Sequence, residues 1–469
     1  MQKKITAVLL ISLLFVFALS GCGAGGGASN NNSSSPPDQQ SQGVSSIGSQ
    51  SQAQPNQPAT SAPTGEPMTI TTYDYNAYEP RTDAVPDVPG ASTKDGKVMI
   101  GLIQGLTGPS SFGCNEVLNG TSIAIEEQGT IWGKPIELMV GDAVEAAAVL
   151  SEYERMKAAG VKIFLGSFDS ADMVLANYVD IDEVLLIQQC QWSVEVTTRG
   201  LNNLFQMPPN YYKFGDSLAV NTVELGKLCF DKDPADLKIA VIGNEGSADI
   251  ISGYVRGLES RGAAPAFTEI YPANRSDFTS LISQLQAGDY DIVVPFNGSS
   301  DGPQVRRKMV EMDYEPPLFL ACGMFYDSPD CALLGNDVTD GICTQSYTNP
   351  FMSPEFVPGL AEYRAKFEDR YGRSPITHAL MAYSGTKTLL RMIDLIGEMP
   401  TAPLVEEFRK IDIPPGGTPA YWGVKFDEQG RNIRAGEPCV IGQWQNGEII
   451  IAYPDYLATG ELIVPWKKS

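Results

Sequence analysis

The chain has 469 residues, 43% hydrophobic and 19% charged; at ~150 residues per domain this gives room for about three domains. Asp and Glu number 56 against 33 Lys and Arg, a net charge of −23, which excludes gripping a nucleic-acid backbone or anionic lipid through clustered cations. The one histidine, His378, excludes multi-histidine metal centres and leaves a single candidate base for any Ser-His-Asp scheme, and eight cysteines are too sparse for a disulfide scaffold.

Lys3 and Lys4 precede an apolar run, Ile5 to Leu19, that falls short of the ~20 residues needed to span a bilayer. This reads as the core of a secretory signal peptide, 1–22. It ends in Leu19-Ser20-Gly21-Cys22, which resembles the bacterial lipobox. The resemblance implies cleavage before Cys22 and lipidation of that residue, an anchor outside the cytoplasmic membrane without a spanning helix. Residues 23–67 are Gly, Ser, Asn, Gln, Pro and Ala with almost no charge, too polar to fold, so the spacing predicts a disordered linker that passes through a transition up to residue 96.

From Lys97 the pattern alternates. Val98–Ile103, Pro135–Val140, Lys162–Leu165 and Val184–Ile187 read as strands, and Leu118–Glu127, Glu145–Ala159 and Ala171–Tyr178 as helices. The rhythm restarts with strands at Lys238–Ile242, Phe267–Ile270, Asp291–Phe296 and Leu318–Ala321. Helices are expected between them at Ile250–Arg261, Phe278–Ala287 and Val305–Met312. The expected fold class is α/β, two doubly wound parallel sheets, in which ligands sit beyond the carboxyl ends of the strands.

Several stretches together resemble the branched-chain amino acid and amide class of periplasmic binding proteins, the type I solute-binding proteins of ABC importers. Ile100-Gly101-Leu102 with Leu106-Thr107-Gly108-Pro109 is similar to the family's opening strand and loop; Trp132-Gly133-Lys134-Pro135-Ile136-Glu137-Leu138 with Gly141-Asp142 is similar to its second strand. Gly166-Ser167-Phe168-Asp169-Ser170, Gly423-Val424-Lys425-Phe426-Asp427 and Gln443-Trp444-Gln445-Asn446-Gly447 resemble later landmarks in the same order. The likeness runs from about Lys97 to Pro465. It implies two lobes that close on a solute, joined by three crossings near Pro208, near Tyr347 and around Asp427–Arg434. Lobe one would be 97–208 plus 347–430, and lobe two 209–346 plus the return strand and tail, 431–469.

The resemblance also implies a site. Ser170 matches a serine that receives a ligand carboxylate, Cys190 and Trp192 match positions flanking the ligand's charged groups, Phe112 matches a covering aromatic, and His378 falls where the ligand's side chain ends. Each has a plainer reading: Ser170 as a helix cap, Trp192 and Phe112 as packing aromatics, His378 as a bonded histidine at a helix start. In amino-acid-binding members an acid after the strand matching Leu318–Ala321 holds the ammonium; here Gly323 stands there. Asn244, Asn297 and Ser299 in the same lobe suit neutral polar recognition such as an amide, and Glu245, Asp301 or Asp327 are the candidates for a displaced acid. Classical Leu, Ile or Val binding is therefore not expected.

No catalytic constellation, metal or cofactor is expected: there is no G-x-S-x-G elbow and no ligand cluster. The leading reading is a lipid-anchored receptor that hands a small solute to a permease driven by ATPases. The alternatives are a sensor of the same fold and, on a different footing, a lipid-tethered hydrolase. Cys322 has Cys331 or Cys343 as possible disulfide partners, and Cys114 could bridge to Cys190 or stay free.

Overall fold

The computed structural model describes residues 91–466 except 109, 169, 299, 324, 358 and 397–400, together with 69–70, 73–74 and 78. The lipobox with Cys22, the linker and Ser299 lie outside the described residues.

Two seven-stranded sheets organise the chain. The first is built on β1 (Lys97–Gln104), β2 (Lys134–Asp142), β3 (Ile163–Leu165), β4 (Leu185–Gln188) and β5 (Leu204–Gln206). They lie side by side in the order β2-β1-β3-β4-β5, every neighbouring pair parallel. Short antiparallel strands, Thr130–Ile131 and Thr93–Lys94, flank β2 and β1. Strands buried on both faces are written as continuous apolar runs, and β1 shows why. Val98, Ile100 and Leu102 enter the layer that holds Leu389, Leu390 and Ile393 of the helix Thr377–Ile396. Met99 and Ile103 enter the opposite layer with Val149, Tyr153 and Met156 of the helix Ala146–Ala158. Alternate side chains thus serve opposite faces.

The second sheet contains β6 (Ile239–Asn244), β7 (Pro265–Tyr271), β8 (Ile292–Phe296), β9 (Leu318–Cys322), β10 (Cys343–Ser346), β11 (Val440–Gln445) and β12 (Glu448–Tyr453). Its order is β7-β6-β8-β9-β10-β11-β12; it is parallel as far as β10 and antiparallel from there on. The antiparallel end is a hairpin that needs only Asn446-Gly447, both at positive φ, a primed-turn signature.

The chain leaves the first sheet after β5, returns to the first sheet's layers after β10, and re-enters the second sheet at β11. The first and last of these passages run side by side. The Gln206 N–H donates to the Gly430 carbonyl at 2.7 Å, and the Asn432 N–H donates to the Gln206 carbonyl at 3.0 Å. Asn432 Nδ2 then ties Met207 and Gly423 together through their carbonyls, each at 3.1 Å.

The strands and most helices lie where the hydrophobic pattern places them. Elements beyond those expected include β5, β10, the β11–β12 hairpin, the helix Leu360–Tyr371 and the helix Tyr211–Phe230. The last of these buries Gly215, Ser217, Asn221 and Thr222 along with its apolar residues, so its inner face does not stand out by hydrophobicity. The helix expected to Tyr178 ends at Leu175. Among the described residues no helix is long and apolar enough to cross a membrane. The seven described cysteines are free thiols, so neither the Cys322 pairings nor the Cys114–Cys190 bridge is formed.

Helix Ser111–Gln128 packs on helix Thr377–Ile396 almost backbone to backbone. A Cβ at Gly120 would lie 2.0 Å from the Ala379 carbonyl oxygen, so only glycine permits the approach. This contact fixes the first turn of the second helix, and with it His378.

Candidate functional site

The carboxyl ends of the parallel strands and the passages between sheets surround a cavity of about 190 Å³. Trp192 reaches it from the loop after β4, and His378 from the start of helix Thr377–Ile396. From the second sheet come Ser247 after β6, Asn297 after β8, and Gly323 and Asp327 after β9. Gln345 and Ser346 end β10, and Tyr347 follows on the passage itself. Tyr211 and Phe214 stand in the first turn of helix Tyr211–Phe230, whose N-cap, Asn210, accepts from the Lys213 N–H at 2.9 Å.

Aromatic rings form much of the wall. Trp192 stacks on Tyr211 with centroids 6.3 Å apart, leans on Tyr347 at 5.6 Å and meets His378 edge-on at 5.4 Å. Phe168 closes the back, edge-on to Trp192 at 5.9 Å and to His378 at 4.8 Å. Such edge-to-face pairs fix ring orientation beyond simple burial.

Asp327 is the one acid among the described lining residues, and none of them is Lys or Arg. Its Oδ2 accepts from Ser346 Oγ at 2.8 Å and from Thr377 Oγ1 at 2.9 Å. Its Oδ1 is shut from solvent and has no partner. Burial pushes this carboxyl up to about 6, against the Ser346 and Thr377 hydroxyls and its own backbone N–H, which lower it. Burial pushes the His378 ring down to about 3, so it is neutral at any physiological pH. Three more lining residues carry a buried polar atom without a partner: Trp192 Nε1, Gln345 Oε1 and His378 Nδ1. Leaving such atoms unpaired costs ~1–3 kcal/mol each, a cost that a polar solute bonding to them would remove.

The expected site residues divide accordingly. Trp192, Asn297, Gly323 and His378 line the cavity. Asn297 has no free side-chain group: its Nδ2 donates to Tyr271 Oη and to Asp301 Oδ2, and its Oδ1 accepts from Tyr326 Oη at 2.8 Å. Cys190 lies outside the lining, fully buried, with its Sγ 3.5 Å from the His378 carbonyl. Asn244 braces the same Asp301 at 3.0 Å and accepts from the Gly246 N–H; it does not line the cavity. Phe112 is exposed under the Arg373 guanidinium, 5.9 Å from its ring centroid, and Ser170 is exposed with no side-chain capping bond; neither lines the cavity.

Gly323 is a correction of a different kind. It sits at φ +142°, and a Cβ there would lie 1.9 Å from the Asn297 carbonyl oxygen. No acid fits at that position; the acid stands four residues later, at Asp327. The residues that sequence reasoning missed include Tyr211, Phe214, Gln345, Ser346 and Tyr347. Asn210 just before Tyr211 was a legible helix-start signal. Asp327 was in view only as one of three loop acids.

Trp192→Phe is expected to keep the ring packing and remove the indole donor, weakening solute binding about 2- to 12-fold, the worth of one ordinary hydrogen bond. Calorimetric titration checks this, and unchanged affinity contradicts it. Trp192→Ala would blur the result by opening a void that costs ~3–5 kcal/mol.

Comparison with known proteins gives the same architecture. Leu/Ile/Val-binding protein homolog 7 of Brucella suis biovar 1 is 28% identical over 386 residues, covering 80% of this chain and 96% of that one. Homolog 8 of Brucella abortus is 27% identical over 378 residues, covering 78% and 92%. Among solved structures, a leucine-binding protein from Thermotoga maritima superposes with a TM-score of 0.62 at 18% identity, over 75% of this chain and 97% of that one. The Streptococcus pneumoniae branched-chain amino acid transporter substrate-binding protein, solved with isoleucine, gives 0.61 at 15% identity over 75% and 97%. The family model described as periplasmic binding protein matches residues 97–448. With its two α/β sheets and the cavity at their strand ends, this chain belongs to the periplasmic binding protein family.

Proposed function

We propose that the protein is an extracytoplasmic, lipid-anchored receptor of an ABC importer that captures a small solute carrying an amino or amide group and does no chemistry on it. The observation that carries this reading is the Asp327 carboxylate, with one buried oxygen unspent, beside the aromatic wall. An ammonium or amide N–H satisfies that oxygen, and the Trp192 indole suits an acceptor on the same solute. This reading is supported by the relatives, among them a Leu/Ile/Val-binding protein homolog and a substrate-binding protein solved with isoleucine. A cavity of about 190 Å³ lies below the ~300–1,000 Å³ of pockets for drug-sized ligands, which limits the solute to a small one.

In this reading the lobes are 97–208 with 347–430 and 209–346 with 431–469, and they close about the paired passages held by Asn432. The permease and its ATPases are the partners, and lipid on Cys22 holds the receptor at the membrane. Cys22→Ser is expected to leave the precursor unprocessed or release the protein into the medium; a processed variant that still fractionates with membranes contradicts the anchor.

A thermal-shift screen over amino acids, amides, aromatic acids and nucleosides tests the solute class. A true ligand at 100 times its dissociation constant adds about 2.7 kcal/mol of stability. The expected hits carry an amino or amide nitrogen; hits confined to compounds without one overturn the reading.

A further inference from the structure

A second cavity, of about 410 Å³, shares Asp327 with the first. Its walls come from Phe351, from Arg364 on the helix Leu360–Tyr371, from the Arg373–Pro375 turn, and from Trp444 and Ile449 of the β11–β12 hairpin. Arg364 is half-buried and its guanidinium lies over the Phe351 ring, 4.9 Å from the centroid. It has no hydrogen-bond or ion-pair partner among the described residues, and its Nε is shut from solvent. The contrast with other half-buried arginines is direct. Arg261, Arg275, Arg431 and Arg434 each hold a carboxylate. Arg373, on the same cavity wall, is spent on Glu116. The two acids that line the cavity, Asp327 and Glu448, form no ion pair with Arg364. In a chain with 56 acids to 33 bases, a stacked and half-buried arginine without an acid is unusual.

We propose that this second cavity binds a small carboxylate, held by the terminal nitrogens of Arg364 while Phe351 keeps the guanidinium plane in place. A planar, forked guanidinium matches a two-oxygen carboxylate better than it matches a lone charge, and a lysine in its place would not. Arg364 and Phe351 line only this second cavity, although Asp327 borders both, so the proposal does not rest on the reading given above.

The test is calorimetric titration of the full chain with sodium succinate at constant ionic strength, with inorganic phosphate as a parallel arm. Saturable one-site binding of succinate is expected, weakened at least tenfold in Arg364→Gln. It should also weaken in Arg364→Lys, which keeps the charge and loses the fork, and persist in Arg256→Gln, an arginine stacked on Tyr212 away from this cavity. Retained melting temperature in the Arg364→Lys protein shows that the loss is not unfolding. Absence of saturable succinate binding, equal binding by the Arg364→Gln protein, or binding of phosphate alone overturns the proposal.

Discussion

Asp327→Asn is expected to weaken solute binding roughly 30- to 4,000-fold while the protein still folds. Truncating one side of a buried, hydrogen-bonded charge pair costs about 2–5 kcal/mol, which gives that range. The fold survives because the asparagine oxygen can still accept from Ser346 and Thr377, the two bonds that place the side chain. What is lost is the charge on the unspent oxygen. The native protein should also bind less well in acid. Burial sets the empty carboxyl at about 6, and only the ionised form attracts an ammonium. Affinity should therefore fall as pH drops below about 6, approaching tenfold per unit, and Asp327→Asn should abolish that dependence.

Stability without solute follows the opposite sign. A carboxyl raised on folding holds more protons in the folded state between about pH 4 and 6, so its contribution is present at low pH and is lost as pH rises through 6. His378, held near 3 by burial, contributes stability above about 6.5 that is lost as pH falls. The two effects oppose each other, so the difference between native and Asp327→Asn melting curves across pH isolates the carboxyl. A difference that does not change with pH would contradict this.

Gly323→Glu is the second large effect. By the family's pattern, restoring an acid at this position should restore ammonium binding. The backbone forbids it. A non-glycine residue at φ +142° is strained by about 1–3 kcal/mol, and the new Cβ would sit 1.9 Å from the Asn297 oxygen, where backbone must move. Asn297 cannot yield easily, since its side chain holds Tyr271, Asp301 and Tyr326. The expected outcome is loss of more than about 3 kcal/mol of stability and no gain in leucine affinity. Denaturant unfolding of the soluble variant measures this, and a native midpoint with raised leucine affinity would contradict it.

Much of the fold was legible because parallel strands buried on both faces are short apolar runs, as in β1, β8 and β9. β10 was not, since Cys343-Thr344-Gln345-Ser346 is polar yet wholly buried in the second sheet. Its place depends on β9 and β11, which are remote in sequence. The site divided along the same line. Trp192 and His378 were found through the family resemblance, Trp192 on the loop after β4 and His378 in the first turn of a helix. Asp327 looked like any loop acid. Its character depends on Thr377, fifty positions away, and on Ser346, nineteen away, which meet it only after both passages form. Phe112 and Ser170 match family positions, but here both stand exposed at helix starts. Gly323 shows what local sequence does not carry: the Asn297 carbonyl that excludes every side chain comes from the neighbouring strand.

A nitrogen-bearing solute is expected in the cavity between the strand ends with its N–H on Asp327. The most direct measurement is a crystal structure of the protein with the solute found by the thermal-shift screen. The solute should lie against Trp192 and Tyr347, with an amino or amide nitrogen within about 2.7–3.1 Å of Asp327 Oδ1. A solute bound elsewhere, or one that leaves that oxygen without a partner, would contradict it.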